Sequence, residues 1–435
     1  MFAGHQRALV LLLATAALGL SIGDRVAVSI AAPQLARDYG LDSVALGWLF
    51  SAYSWTYVVA QMPAGWFVDR VGARRALIAA LLASAACCLL IGASAWLAHG
   101  LLLLVVLRVA QGALHGPVGP AGGQAISAWF PAAERGKAGA LFSSSSYLSL
   151  ALFAPGLGWV AQRFGWPAMF FVLAVAVLAV AAAWAWGFHM PSRRSRVSAA
   201  ELSHIAAGGA VVDMGTLQRL TGAETRRELR RMVSNPLVIG IMMSQYGIAA
   251  TTWFFISWFP VYLVQGRGMS VAGAAAWTVI PGLCGLAGGV ATGFYSDRLL
   301  RHTGSLSVAR TRPVFIGTVL IAAGFIGASV VQSNLLAIVL LSLALFGKGF
   351  ATLGWSLIAD VFPPRSVGLA GALFNTVSNT SGIVTALAIG YLVASTGGFE
   401  AALCLMAAHA LLALAFCALL VRNVQPLGET AAVNP

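Results

Sequence analysis

Apolar residues in this chain gather into runs of twenty or more, separated by short polar stretches. The runs fall near 8–32, 44–67, 76–97, 100–126, 137–161, 166–188, 237–264, 270–295, 312–332, 335–359, 366–393 and 398–421. Each is long enough to cross a bilayer as a helix, which needs about 20 residues. A spanning segment must also satisfy its own backbone hydrogen bonds, so the pattern predicts twelve transmembrane helices. A β-barrel would show segments of about ten residues in strict apolar–polar alternation, and none are visible. The predicted fold class is an all-α integral membrane protein with twelve spans in two six-helix bundles.

Composition agrees: 59% of residues are hydrophobic and 9% charged, against about 25% charged in soluble domains. The net charge of +13 raises the question of a nucleic-acid partner, and the positions of the basic residues exclude one. Three lie on the outer side (Arg37, Arg163, Arg267) and three inside the spans (Arg25, Arg108, Lys348); the other 20 of the 26 Lys and Arg fall in the segments facing the N-terminal side. By the positive-inside rule this predicts that both termini are cytoplasmic, in a bacterial-type inner membrane. The five cysteines all lie in predicted spans, with no disulfide framework or metal spacing. The first apolar run continues past the length of a signal peptide and reads as the first span. No cofactor is implied, and the monomer is taken as the functional unit.

The longest polar interruption, 189–236, divides the chain into bundles at 1–188 and 237–435. Its second part, "TRRELRRMVSNP", reads either as a solvated linker or as an amphipathic basic helix on the membrane surface. The two bundles repeat one another. "WFPAAERGKAGALF" (129–142) aligns without gaps on "VFPPRSVGLAGALF" (361–374), and "GWFVDRVGARR" (65–75) is echoed by "GFYSDRLLR" (293–301). The offsets, 232 and 228, nearly agree. Parallel six-helix repeats build transporters with a substrate site near the midplane, between the halves.

Charges at depth are functional candidates by default. Asp24 is the single clear acid there, against Arg25, Arg108 and Lys348. With His115 counted as neutral the formal sum is +2, which an anionic substrate would balance. Arg108, Gln111 and His115 stand at i, i+3 and i+7 on one face of the fourth span; Lys348, Thr352 and Trp355 follow a similar spacing on the tenth. Tyr53, Tyr57 and Gln61 share a face of the second span, and Asn375, Asn379 and Gly382 a face of the eleventh. An Arg grips a carboxylate with two parallel hydrogen bonds. Duller roles stand beside these: Arg25 as the neutraliser of Asp24, Arg108 and His115 as packing groups, Asn375 and Asn379 as helix–helix glue.

"GWFVDRVGARR" resembles the loop 2–3 signature of the major facilitator superfamily, and "RVAQG" (108–112) its fourth-helix signature. "GDRVAVSIAAP", "SWFPVYLVQGRGMS" and "GALFNTVSNTSGIVTALAIGYL" resemble its anion:cation symporter branch, which carries sugar acids and other organic anions. The resemblance implies a proton site at Asp24, substrate contacts at Arg25, Tyr57, Arg108, Trp355 and Asn375, and a conformational latch at Gly65, Asp69, Arg70, Arg74, Asp297 and Arg298. Gly65 would allow close helix approach. Three positions depart from the pattern. His115 replaces a Glu used in proton coupling, Ile22 replaces a Tyr, and Ser146 replaces a Gln that contacts sugar acids. These changes predict a less hydroxylated anion, a dicarboxylate or aromatic acid, held by Arg25, Tyr57, Arg108, His115, Ser146, Lys348, Trp355, Asn375 and Asn379. His115 joins Asp24 as a candidate titrating group. The expected activity is proton symport of an organic anion; anion exchange and proton-driven drug export are the alternatives. A membrane enzyme would need a nucleophile, a metal cluster or paired carboxylates, and the spans supply none.

Overall fold

In the computed structural model, residues 5–191, 205, 222–421, 424, 425 and 427 are described. The first half comprises α1 (His5–Tyr39), α2 (Ser43–Val71), α3 (Ala73–Ala93), α4 (Gly100–His115), α5 (Val118–Trp129), α6 (Ala132–Phe164) and α7 (Trp166–Gly187). A short helix α8 (Gly222–Ser234) precedes the second half. That half comprises α9 (Pro236–Ser257), α10 (Val271–Trp277), α11 (Val279–Thr303), α12 (Leu306–Val330), α13 (Asn334–Phe350), α14 (Gly354–Val361), α15 (Pro364–Thr396) and α16 (Glu400–Leu420). Pairing α4 with α5, α10 with α11 and α13 with α14 yields twelve spans. Ten stretches are long and apolar enough to cross a membrane on their own, and α2 and α13 complete the set.

Local chemistry sets several boundaries. Asp42 caps α2 by accepting from the Ala45 N–H at 2.7 Å, and Asn235 caps α9 with Pro236 at its first position. The repeat is visible in the elements themselves. α6 and α15 have 33 residues each and begin 232 positions apart, the offset of the sequence alignment.

The fourth and tenth spans both break near the middle of the fold. α4 stops at His115, where Pro117 removes a backbone donor from the helix ladder. α13 stops at Phe350 after "GKGF", and α14 restarts at Gly354. The expectation that Lys348, Thr352 and Trp355 share one helical face is therefore corrected. Lys348 ends one helix, Thr352 lies in the break and Trp355 opens the next helix. The glycines flanking Lys348 weaken a continuous helix there.

Among the described residues, several hydrogen bonds join the halves at mid-depth or at the end opposite the termini. Ser29 donates to the Ser257 carbonyl, Gln162 accepts from the Ala272 N–H at 3.2 Å, and Tyr147 meets Lys348 and Thr352. The most extensive contact between halves is α2 against α15. It is close because Gly47 lies against the Ala386 carbonyl and the Gly390 Cα, leaving no room for a side chain. α8 docks against the second half through Met232, which is buried, while Arg226, Arg227 and Arg230 are exposed. Apart from Ile205, the linker residues 192–221 lie outside the described residues.

Candidate functional site

The central polar residues of the first half form one connected network. Arg108 Nη1 donates to Asp24 Oδ2 at 3.0 Å and to Gln111 Oε1 at 2.9 Å. Gln111 Nε2 donates to Asp24 Oδ1 at 3.1 Å, and the Cys88 thiol reaches the same oxygen at 3.5 Å. Arg108 and Asp24 are only 3% and 1% exposed. Such an ion pair persists at depth because both carboxylate oxygens find donors and Arg108 Nη1 finds two acceptors, although Arg108 Nε, like that of Arg25, has no hydrogen-bond partner. Asp24 and Arg25 do not pair, because consecutive residues on a helix do not face each other.

Arg25 instead projects among aromatic rings. Its Cζ lies 4.6 Å from the Tyr57 ring centroid, 4.8 Å from that of Tyr53 and 5.6 Å from that of Trp253. No carboxylate among the described residues pairs with it, and its Nε has no hydrogen-bond partner. Ring faces hold a cation through their quadrupoles without neutralising it. Trp253 comes from α9, so the cage closes across the two halves. It rests against Gly382 of α15, where any side chain would collide with the indole.

The close crossing of α4 over α2 builds the rest of the site. Gly112 faces the Tyr53 carbonyl and the Tyr57 N–H so tightly that a Cβ would overlap backbone. This approach lets Tyr53 serve three neighbours. Its ring underlies Arg25 and also Arg108, the latter at 4.9 Å, and its hydroxyl meets His115 Nδ1 at 3.1 Å. The other ring nitrogen of His115 meets Ser84 Oγ at 2.9 Å. Hydroxyls donate or accept, so both ring nitrogens are satisfied in either tautomer.

In the second half Lys348 is buried, and its Nζ donates to the Tyr147 hydroxyl at 2.8 Å. Thr352 Oγ1 lies 3.4 Å from the same hydroxyl. Asn375 and Asn379 are half-buried on α15, where the Asn379 amide donates to the Asn375 carbonyl at 2.8 Å. Ser146 is half-buried beside Tyr147. The side chain of Trp355 lies outside the described residues.

The expected latch residues lie at the end that carries the termini. Asp69, Arg70, Arg74, Asp297 and Arg298 are all exposed. The Arg70 guanidinium stacks on Trp66 at 5.3 Å, and Arg74 donates to the Ala185 carbonyl. Gly65 is corrected in one respect: a side chain there would meet open space, so it marks no close approach in this arrangement. A different cluster ties the second half together at that end. Arg310 donates to Asp360 at 2.7 Å and to Ser296 at 3.0 Å.

The sequence reading passed over Tyr147, Trp253, Ser84 and Cys88. A tyrosine ending the serine run "SSSSY" was the one available signal for Tyr147; the others look like ordinary span residues.

A family model of the Major Facilitator Superfamily matches residues 10–309. The chain is 38% identical over 409 residues to a probable galactarate/D-glucarate transporter of Bacillus subtilis (strain 168), covering 93% of this chain and 90% of the relative. It is 32% identical over 429 residues to a D-galactonate transporter of Escherichia coli O6:H1, covering 98% of each. A crystal structure of a D-xylose–proton symporter superposes with a TM-score of 0.71 at 19% identity, covering 96% of this chain and 98% of that one. A bacterial homologue of the lysosomal transporter Spinster, in an inward-facing unoccupied conformation, gives 0.69 at 16% identity, with coverage of 97% and 98%.

Proposed function

The chain belongs to the Major Facilitator Superfamily, and from that premise we propose that it takes up an organic diacid together with protons by alternating access. It is a multi-pass membrane transporter, not an enzyme. The observation that carries the substrate class is the unbalanced charge. Asp24 is spent on Arg108, so Arg25 and Lys348 remain as buried cations without a carboxylate partner among the described residues. Taking a cation out of water costs several kcal/mol unless something compensates it, and a bound carboxylate does. Galactarate and D-glucarate, in the names of similar proteins, are both dicarboxylates.

In this reading Arg25 grips one carboxylate, with Tyr57 and Trp253 fixing the guanidinium, and Asn375 and Asn379 line the far wall. Asp24 takes the proton: its protonation releases Arg108, and His115 provides a second group that can change charge at the same site. Residues 1–188 and 237–435 act as the two rocking bodies. The termini are cytoplasmic in the inner membrane, and the arrangement described is then closed toward the outside. The exposed motifs at Asp69–Arg74 and Asp297–Arg298 form the latch of the opposite state. Ile22 and Ser146 favour an anion with fewer hydroxyls.

Uptake into liposomes containing the purified monomer tests the proposal, using galactarate, galactonate, adipate and hexanoate with and without an inward proton gradient. Diacids are expected to accumulate when the gradient is imposed, and adipate at least as well as galactarate. Transport of lipophilic cations with no movement of any organic anion would overturn it.

A further inference from the structure

Tyr147 belongs to the first half, yet its ring is seated in the second. It lies over Gly285 and Gly289 of α11, and its backbone carbonyl faces Gly282. Those glycines stand at i, i+3 and i+7, so they form a groove along one face of α11. The groove carries the phenol to the break between α13 and α14, where it meets Lys348 and Thr352. Lys348 Nζ also sits 4.5 Å from the ring centroid.

The donor inventory there is not used up. An ammonium has three N–H donors, and one of them goes to Tyr147. The phenol oxygen accepts from Lys348, so its own proton must point elsewhere. The nearest acceptor is Thr352 Oγ1 at 3.4 Å, a long contact for an O–H donor. Thr352 donates to the Lys348 carbonyl at 2.7 Å, which keeps its lone pairs facing the phenol. A buried ammonium and a phenol with an underused O–H thus converge on one point, with no acid present among the described residues.

The spacing from Arg25 is also defined. Gly19 packs on Ser149 and Gly23 on Phe153, so α1 and α6 run side by side in parallel. Tyr147 is then about eight residues below Arg25, roughly 12 Å along the axis. Side chains on both parallel helices lean toward their N-termini, so the guanidinium and the phenol shift the same way and the axial gap stays near that value.

We propose that Tyr147 and Lys348 form a second carboxylate site, built from both halves, that takes the far end of the diacid held by Arg25. This rests on the reading of the protein as an organic-anion transporter and adds a specificity-determining residue, Tyr147. A carboxylate arriving there accepts from the free N–H groups of Lys348 and from the phenol O–H. Because the two donors belong to different halves, the far carboxylate of a diacid held at Arg25 ties the halves together, whereas a monoacid held at Arg25 leaves Tyr147 and Lys348 without a carboxylate.

The test is equilibrium binding to the purified full chain in nanodiscs, with two ligand pairs that differ by one carboxylate: galactarate against galactonate, and adipate against hexanoate. Tyr147→Phe keeps the ring in its groove and removes only the hydroxyl. The wild type is expected to bind at least one diacid tighter than its monoacid, with Tyr147→Phe weakening that diacid about tenfold and the monoacid less than threefold. Lys348→Met should abolish the preference. A merely structural role would lower thermal stability and leave the diacid/monoacid ratio unchanged, which overturns the inference. Tighter diacid binding by Tyr147→Phe overturns it too, since the phenol would then be competing for Lys348. Wild-type binding with no diacid preference refutes the second site and leaves anion transport standing; binding of none of the four probes refutes both.

Discussion

Asp24→Asn removes one negative charge from the centre of the fold and almost nothing else. Asn keeps an oxygen for the Gln111 amide at 3.1 Å, but Arg108 loses its carboxylate at 3.0 Å and retains only Gln111. Removing one partner of a buried pair costs about 3–5 kcal/mol, because the other charge stays behind. The unfolding temperature of the variant in detergent should fall accordingly. Asp24→Asn combined with Arg108→Gln removes both charges and should recover most of the loss, a coupling that a double-mutant cycle reads directly. The functional effect has the opposite sign. The formal charge of the site rises from +2 to +3, and a unit charge roughly 8 Å from the ligand at an effective dielectric near 20 is worth about 2 kcal/mol, close to thirtyfold in affinity. Anion binding should therefore tighten, and anion exchange across liposomes should persist. Accumulation driven by a pH gradient should stop, because Asn cannot take up the proton. An Asp24→Asn protein that concentrates substrate against its gradient as the wild type does would remove Asp24 from coupling. Failure of Arg108→Gln to restore stability would refute the energetic account of the pair.

Two further outcomes follow from the cage and from the closed end. Arg25→Lys keeps the charge and loses the planar group that three rings hold; at about 0.5–2 kcal/mol per cation–π contact, diacid affinity should drop ten- to a hundredfold in a binding titration. Gly47→Leu places a side chain where α2 meets the Ala386 carbonyl and Gly390, so it should hold the halves apart at the end opposite the termini. Spin labels at that end would then report longer distances, and transport would fall while the protein stays folded.

Much of the molecule was legible from local pattern. A bilayer leaves the backbone no partner outside its own helix, so the apolar runs had to be helices. The repeat offset of 232 equals the offset between the starts of α6 and α15, although the apolar runs at 137–161 and 366–393 stop short of both ends of those helices. Arg108, Gln111 and His115 fell on one face because the helix is regular between them. The same reasoning failed on the tenth span, where a break after Lys348 ended the periodicity on which it depends. It also left the partner of Asp24 open.

The sequence by itself determined which charges lie at depth, that they sum to an excess of positive charge, and that two six-helix repeats enclose them. These follow from hydrophobic length and helical period, which are properties of neighbours in the chain. Tertiary structure alone decided how the charges are shared out. Asp24 turns from its neighbour Arg25 to Arg108, 84 positions away, and Lys348 meets Tyr147 across 201. Side chains one residue apart on a helix point about 100° apart, so adjacency carries no contact. Only the crossing of α2 by α4 at Gly112 and the glycine groove of α11 bring the functional groups together.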